Sequence, residues 1–153
     1  MFIDKAKIVV RAGNGGNGCT SFYSDKWTRN KNPDGGDGGD GGNVMVKVSG
    51  HVFTLLDLQY RHEFKAGNGK HGSGNTRKGK RGEDKVILVP AGTQITEASS
   101  GCLLEDLSAD NQEVIVAKGG QGGWGNYRTK KESYSGKAGE VKTILFDLKL
   151  IAD

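Results

Sequence analysis

Gly35-Gly36-Asp37-Gly38-Gly39-Asp40-Gly41-Gly42 decides the fold of this chain, because its glycines recur at every third residue in two parallel registers. This period belongs to the left-handed polyproline II helix, which has three residues per turn and no internal hydrogen bonds. Glycine at every third position leaves one edge of such a helix bare, so another backbone can pack closely against it. A single segment of this kind does not fold alone. The sequence therefore predicts several of them packed together.

The same glycine spacing returns elsewhere, at positions 13 and 16, 15 and 18, 69 and 72, 79 and 82, 119, 122 and 125, 120 and 123, and 136 and 139. The chain has 26 glycines among 153 residues and only 34% hydrophobic residues, so part of it must be held without a large core. Collagen is excluded because only two prolines are present and the glycine runs are broken. A flexible linker is disfavoured because well-patterned apolar strands separate the glycine segments.

Apolar alternation predicts short strands between the glycine segments, at residues 6–10, 44–48, 52–56, 86–89, 103–107, 114–117 and 141–150. In the last of these, Ile144, Phe146 and Leu148 fall on one face and Leu145 and Asp147 on the other, which suits an antiparallel sheet with one solvated side. No window shows a helical period longer than two turns. We therefore predict one mainly β domain over residues 1–153, a small antiparallel β-barrel or sandwich from which the glycine segments project.

Three motifs resemble nucleotide or metal sites, and each lacks a required feature. Residues 13–18 match GxGxxG, but no helical run follows to bind a pyrophosphate. Residues 74–81 approach a P-loop, but an arginine stands where Ser or Thr must hold magnesium. Asp34, Asp37 and Asp40 lack the bidentate Glu and the flanking helices of a calcium loop. We expect these carboxylates to accept hydrogen bonds from backbone N–H groups instead, and we predict no catalytic or metal site in this chain.

Other sequence signals set the cellular context. No stretch approaches the roughly 18 apolar residues of a membrane span, and charged residues near the N-terminus interrupt any secretory signal. Cys19 and Cys102 lie far apart without metal-binding spacing, so we expect two reduced thiols. These signals predict a soluble intracellular protein with no membrane partner.

Positive charge is clustered along the chain although the net charge is only +4. Basic residues are dense between Arg61 and Lys85 and absent from residues 86–117, and smaller basic groups occur at 26–31 and 128–131. Each group adjoins a glycine segment, so we expect it where those segments turn. A polyanionic partner such as nucleic acid would explain this clustering, and a solvated basic surface is the alternative.

The chain closely resembles the N-terminal domain of the Obg family of ribosome-associated GTPases. The resemblance rests on Gly13-Asn14-Gly15-Gly16-Asn17-Gly18-Cys19 with Ser21-Phe22, Pro33-Asp34 followed by the glycine run to Gly42, Gly79-Lys80-Arg81-Gly82, Val89-Pro90-Ala91-Gly92-Thr93, Ala117-Lys118-Gly119-Gly120, and Leu148-Lys149-Leu150-Ile151-Ala152-Asp153. It implies an Obg fold of packed glycine-rich left-handed helices, of polyproline II type, on a small β-barrel.

The resemblance also implies a function. In the family, the segment that matches residues 148–153 begins the linker to a GTPase domain, so GTP and magnesium are expected only in that domain and no cofactor is expected in this chain. Family members act in late assembly of the large ribosomal subunit, where the loop tips enter ribosomal RNA around the peptidyl-transferase centre. The implied partners are that subunit, its RNA and the protein's own GTPase domain. The implied location is the cytoplasm, with the mitochondrial matrix or chloroplast stroma as the alternative.

Basic side chains of the loops are our candidates for phosphate contacts, and two aromatic residues inside basic segments are candidates for stacking on unpaired bases. The predicted RNA-binding residues are Lys26, Trp27, Arg29, Lys31, Arg77, Lys78, Lys80, Arg81, Tyr127, Arg128, Lys130 and Lys131. For Trp27 and Tyr127, packing against the glycine bundle is the alternative role. A second functional hypothesis is a protein-interaction and regulatory module that controls the attached GTPase domain.

Overall fold

A computed structural model describes residues 5–24, 32–51, 55, 58, 61–107 and 112–148. These residues form ten strands and one helical turn: β1 (Lys5–Arg11), β2 (Phe22–Tyr23), β3 (Asn32–Pro33), β4 (Val44–Val48), β5 (Glu63–Lys65), β6 (Lys85–Val89), β7 (Thr93–Glu97), β8 (Leu103–Leu107), β9 (Glu113–Ala117), α1 (Asn126–Thr129) and β10 (Val141–Leu148). The mainly β class is confirmed. Within the described ranges, no helix is long and apolar enough to cross a membrane.

Two sheets enclose one apolar core. The first has the strand order β5-β1-β10-β7-β8 and the second β6-β4-β9. Side chains alternate as the sequence predicts: Ile144, Phe146 and Leu148 are buried, and Leu145 is exposed. The predicted strands at 44–48 and 103–107 are confirmed at both ends, whereas the one at 52–56 lies outside the described residues except for Leu55.

The sequence left a barrel and a sandwich open, and the sheets differ from an antiparallel barrel in two respects. The described strands form separate five-, three- and two-stranded sheets, with no closed barrel among them. Two pairs, β1 with β5 and β4 with β6, are parallel. The cause lies in the glycine segments that continue these strands: Ala66 N–H donates to Arg11 C=O, and Lys85 N–H donates to Asn43 C=O, each at 2.9 Å. Neighbouring segments run in the same direction there, so the strands that join them must also be parallel.

Six glycine segments extend from the strands as a bundle, in which residues three apart bond to the same neighbouring segment. They are numbered first to sixth in chain order, at residues 12–21, 34–43, 66–73, 78–84, 118–125 and 134–140. For example, the N–H groups of Gly13, Gly16 and Cys19 donate to the carbonyls of Gly42, Gly39 and Gly36 at 2.8–2.9 Å. The second segment bonds to the first, third, fourth and fifth, and thus forms the centre of the bundle.

Close backbone contact explains why the second segment needs glycine. A Cβ atom at Gly38 would overlap the carbonyl of Gly16, and one at Gly41 would overlap the carbonyl of Gly13. At Gly39, on the other edge, a Cβ would overlap the carbonyl of Lys80 in the fourth segment. The two glycine registers therefore serve two different neighbours, which leaves the third register for polar side chains.

In the third register of the second segment, polar side chains accept hydrogen bonds from backbone N–H groups of other segments and of the turn at residues 74–76. The side chains of Asp37, Asp40 and Asn43 accept from the N–H groups of Gly125, Gly122 and Gly119, respectively, at 2.8–2.9 Å. Asp34 accepts from the N–H of Asn75 at 3.0 Å. The prediction that the aspartates serve as acceptors for backbone N–H groups is confirmed. Among the described residues, no group of His, Cys, Asp and Glu side chains is arranged to hold a metal ion.

Two carboxylates, Asp84 and Glu140, accept hydrogen bonds where the glycine segments join the strands of the sheets. Asp84 accepts from the N–H of Asn43 and from Arg81, and these hydrogen bonds lower the pKa of Asp84 although burial opposes the shift. Burial would raise the pKa of Glu140, but its hydrogen bonds with Lys142 and the N–H of Lys118 outweigh it and lower that pKa.

We expect acid to weaken this junction. A carboxylate whose pKa is lower in the folded chain stabilises it above the unfolded-state pKa of roughly 4, and this contribution is lost as the pH falls through the folded-state pKa. Asp84→Asn should therefore lower the urea midpoint at pH 7 and shift it progressively less as the pH falls below about 4. Equal shifts above and below this pH would contradict a stabilising role for the charge of Asp84.

Candidate nucleic-acid interface

Three loops join the six segments in pairs at the end of the bundle remote from the sheets, which we call the distal end. The first loop includes β2 and β3, the second is the turn at residues 74–76, and the third is α1 with residues 130–133. The second and third loops both contact the base of the first loop: Thr76 N–H donates to Asp34 C=O, and the side-chain amide of Asn126 donates to Ser21 C=O. The distal end is thus one continuous surface.

Five of the predicted cationic residues lie in or next to these loops with exposed side chains: Arg77, Lys78, Arg128, Lys130 and Lys131. Lys130 has a left-handed backbone (φ 63°), and its N–H donates to Asn126 C=O at 2.8 Å to end α1. This turn places Lys130 and Lys131 at the surface beside the helix. Lys26, Trp27, Arg29 and Lys31 lie outside the described residues.

Lys80 and Arg81 lie on the side of the bundle and not at the distal end. Both belong to the fourth segment, and Arg81 forms an ion pair with Asp84 at 2.9 Å, next to β6. A groove of about 650 Å³ runs beside them, and we call it the flank groove. Its cationic lining consists of Lys65, Lys70, Lys80, Arg81 and Lys85. The basic cluster seen in the sequence is therefore divided between two places.

Arg128 is held over the distal end by a nearly buried carboxylate. Its Nε donates to Oδ2 of Asp37 at 2.8 Å, while Oδ1 of Asp37 accepts from the N–H of Gly125 at 2.9 Å. Asp37 is only 9% exposed, whereas the side chain of Arg128 is 46% exposed. The hydrogen bond to Asp37 raises the pKa of Arg128 above its ordinary value, so this guanidinium stays charged. It also lies over two rings, 5.1 Å from the centre of Tyr127 and 5.7 Å from that of Trp124.

Exposed aromatic residues concentrate at the distal end. In the described part of the chain, the large hydrophobic side chains that remain exposed divide by type: the aliphatic ones lie on strands of the two sheets, and the aromatic ones are Phe22, Tyr23, Trp124 and Tyr134. Phe22 and Tyr23 form β2, and the other two flank the third loop. An aromatic ring exposed beside a cation is the type of group that stacks on unpaired bases.

Sequence reasoning named Tyr127 and Arg128 but missed the ring pair of Trp124 and Tyr134. The two rings stack with centroids 6.2 Å apart and an interplanar angle of 21°. The exposure of Trp124 could have been predicted from the three-residue glycine period of the fifth segment. In the fifth segment two registers carry buried or half-buried residues, while Lys118, Gln121 and Trp124 in the remaining register are exposed. Tyr134 had no comparable signal, since its place depends on pairing with the fifth segment.

Comparisons with known proteins point to one family. The GTP1/OBG family profile matches residues 3–150. The chain is 48% identical over 159 aligned residues to a GTPase Obg of Persephonella marina, covering 99% of this chain and 47% of that protein. It is 49% identical to a GTPase Obg of Ehrlichia chaffeensis, with 99% and 46% covered, and 44% identical to one of Pediococcus pentosaceus, with 100% and 37% covered. The chain thus spans less than half the length of these relatives.

Proposed function

The chain belongs to the GTP1/OBG family, and from that premise we propose that it is the ribosomal-RNA-binding N-terminal domain of an Obg-type GTPase. Its distal end enters the RNA of the large ribosomal subunit near the peptidyl-transferase centre during late assembly of that subunit, in the cytoplasm. GTP and magnesium bind to the GTPase domain of the whole protein, to which residues 148–153 begin the linker. The family resemblance inferred from the motifs is confirmed by the matches.

One observation carries the RNA-binding proposal: cations and exposed aromatic rings converge on the distal end of a narrow, cross-bonded bundle. Lys and Arg side chains neutralise phosphates, and rings stack on unpaired bases, so both parts of a single-stranded RNA site are present. The sheets, in contrast, expose aliphatic side chains. The proposal also treats the glycine segments as polyproline II helices, which the three-residue period of their hydrogen bonds supports.

We expect charge reversal at the distal end to weaken binding to large ribosomal subunits and to reduce its salt dependence. Each lost phosphate contact removes about one unit from the slope of log K against log salt concentration. Arg77→Glu with Lys78→Glu should therefore lower the slope by about two units. Cosedimentation with purified large subunits between low and moderate salt measures this slope.

The matched control changes the same total charge on the opposite part of the molecule. Lys5 and Lys7 are exposed on β1, within the first sheet. Lys5→Glu with Lys7→Glu should leave the slope near that of the parent chain. If both double variants reduce the slope equally, only the net charge matters and the distal end has no special role.

A protein-interaction and regulatory role is the second candidate, and an exposed aliphatic face favours it. Val86, Leu88 and Ile115 are 44–49% exposed on the outer face of the second sheet, where Met45 lies opposite both Val86 and Ile115. An apolar face of this kind suits contact with a neighbouring domain. Both roles can operate in one protein.

Cosedimentation of three samples separates the two roles: this chain, the GTPase domain alone and the full-length protein. If this chain cosediments with large subunits, RNA binding is its primary role. If only samples that contain the GTPase domain cosediment, the regulatory role is favoured, and Ile115→Asp in the full-length protein should then alter the rate of GTP hydrolysis.

A further inference from the structure

Trp124 and Tyr134 stack on each other near the distal end while remaining largely exposed, at 53% and 58%. Rings that serve only to pack a protein interior are normally buried, because burial is what makes them stabilising. These two rings form an aromatic surface that faces solvent on a part of the molecule where cations are already concentrated. Core packing therefore does not account for the position of these two rings.

Backbone contacts fix the main-chain positions of both residues. Tyr134 N–H donates to Trp124 C=O at 2.9 Å, so the two residues are directly paired across the fifth and sixth segments. The carbonyl groups of both residues lie against glycines: a Cβ at Gly18 would overlap that of Trp124, and one at Gly123 would overlap that of Tyr134. Since the backbone that carries the rings is fixed before binding, little conformational entropy is lost when a ligand stacks on them.

A shallow cleft of about 260 Å³ adjoins the rings. Its lining includes Gly122 and Gly123, which have no side chains to fill it, and the polar residues Gln121, Ser135 and Lys137. A flat ring can therefore lie against the aromatic pair with polar groups at its edge. Lys137 adds a positive charge next to the cleft, as Arg128 does beside Trp124.

We propose that Trp124 and Tyr134 form a stacking site for one unpaired nucleobase, with Arg128 and Lys137 facing the adjoining phosphates. The proposal rests on the RNA-binding function above and deepens it, because it names the ligand as a single-stranded segment and not an RNA duplex. Duplex bases are stacked on one another and are not available to a protein ring. Stacking tolerates any base, so the site should recognise single-stranded RNA without preference for a particular sequence.

Tryptophan fluorescence tests the site directly. The chain has two tryptophans, so a Trp27→Phe background leaves Trp124 as the only tryptophan, and selective tryptophan excitation reports on it alone. The probes are an eight-nucleotide oligoadenylate and an eight-unit strand with the same phosphates but no bases. We expect oligoadenylate to quench the emission and the abasic strand to leave it nearly unchanged. In the same background, fluorescence anisotropy of dye-labelled strands gives affinities for variants that lack Trp124.

Trp124→Ala should weaken oligoadenylate binding by about fivefold to 140-fold, since stacking on one ring contributes on the order of 1–3 kcal/mol. Trp124→Phe should retain most of the affinity, and Tyr134→Ala should behave like Trp124→Ala. The salt dependence should be the same in all three, because phosphate contacts remain. Leu103→Ala is the matched control, since Leu103 is equally exposed on β8 and should have no effect.

The outcomes distinguish this inference from the function on which it rests. Equal affinities for oligoadenylate and the abasic strand, or an unchanged affinity in Trp124→Ala, would overturn the stacking site. So would a failure of both strands to bind. If the chain still cosediments with large ribosomal subunits in any of these cases, the RNA-binding function stands without the stacking site. If cosedimentation is lost as well, both proposals fail.

Discussion

Gly38→Ala should destabilise this chain by more than about 3 kcal/mol, a large fraction of the 5–15 kcal/mol typical of folded domains. The added Cβ would overlap the carbonyl of Gly16, and no side-chain rotation can relieve the clash because the obstacle is backbone. The first and second segments would have to separate. Their three regularly spaced hydrogen bonds, from Gly13, Gly16 and Cys19, would then lengthen together.

Gly74→Ala provides the matched control. At Gly74 the nearest atoms are the Oγ and Cβ of Ser21, at 3.1 and 3.8 Å from the added Cβ, and a serine hydroxyl can rotate away. We expect a change within about 1 kcal/mol there, since Ala also reduces the entropy of the unfolded chain. Urea unfolding followed by circular dichroism measures both variants. Similar losses in the two would mean that loss of glycine itself, and not the backbone contact, sets the stability.

The glycine bundle was largely predictable from the sequence because one steric requirement controls it. A residue that faces a neighbouring backbone must be glycine. The spacing of glycines at every third residue therefore indicates the packing directly. The aspartates followed from the same logic, since N–H groups in extended segments need acceptors and Asp37 and Asp40 occupy the register left free by glycine. Each inference depended on a local pattern within a few residues.

Features that depend on distant partners were not predictable. The parallel strand pairs follow from how the segments lie beside one another, which no single segment reveals. Strand β7 was missed because it carries one large apolar residue, Ile95, between polar neighbours. Its other buried residue, Thr93, is polar, and the Thr93 hydroxyl donates a hydrogen bond to Pro90 C=O. The division of the basic cluster between the distal end and the flank groove has the same origin, since spacing along the chain does not show which side of a bundle a lysine occupies.

The ion pair of Asp37 and Arg128 joins residues 91 positions apart and links the centre of the bundle to the distal end. Asp37→Ala should cost about 3 kcal/mol of folding stability, because the buried N–H of Gly125 loses its acceptor and a charge-assisted hydrogen bond is lost. Asp40→Ala is the matched control. Asp40 accepts from Gly122 in the same way but is exposed and has no arginine partner among the described residues, so we expect a loss of about 1 kcal/mol.

A double-mutant cycle shows whether the pair also serves binding. At a temperature where all variants remain folded, Asp37→Ala should weaken binding to large ribosomal subunits nearly as much as Arg128→Ala, since a guanidinium without its carboxylate no longer stays over Trp124 and Tyr127. The double variant should then bind no more weakly than either single one. Additive losses would mean that the two side chains act independently, and Asp37 would then stabilise the bundle without positioning Arg128 for RNA.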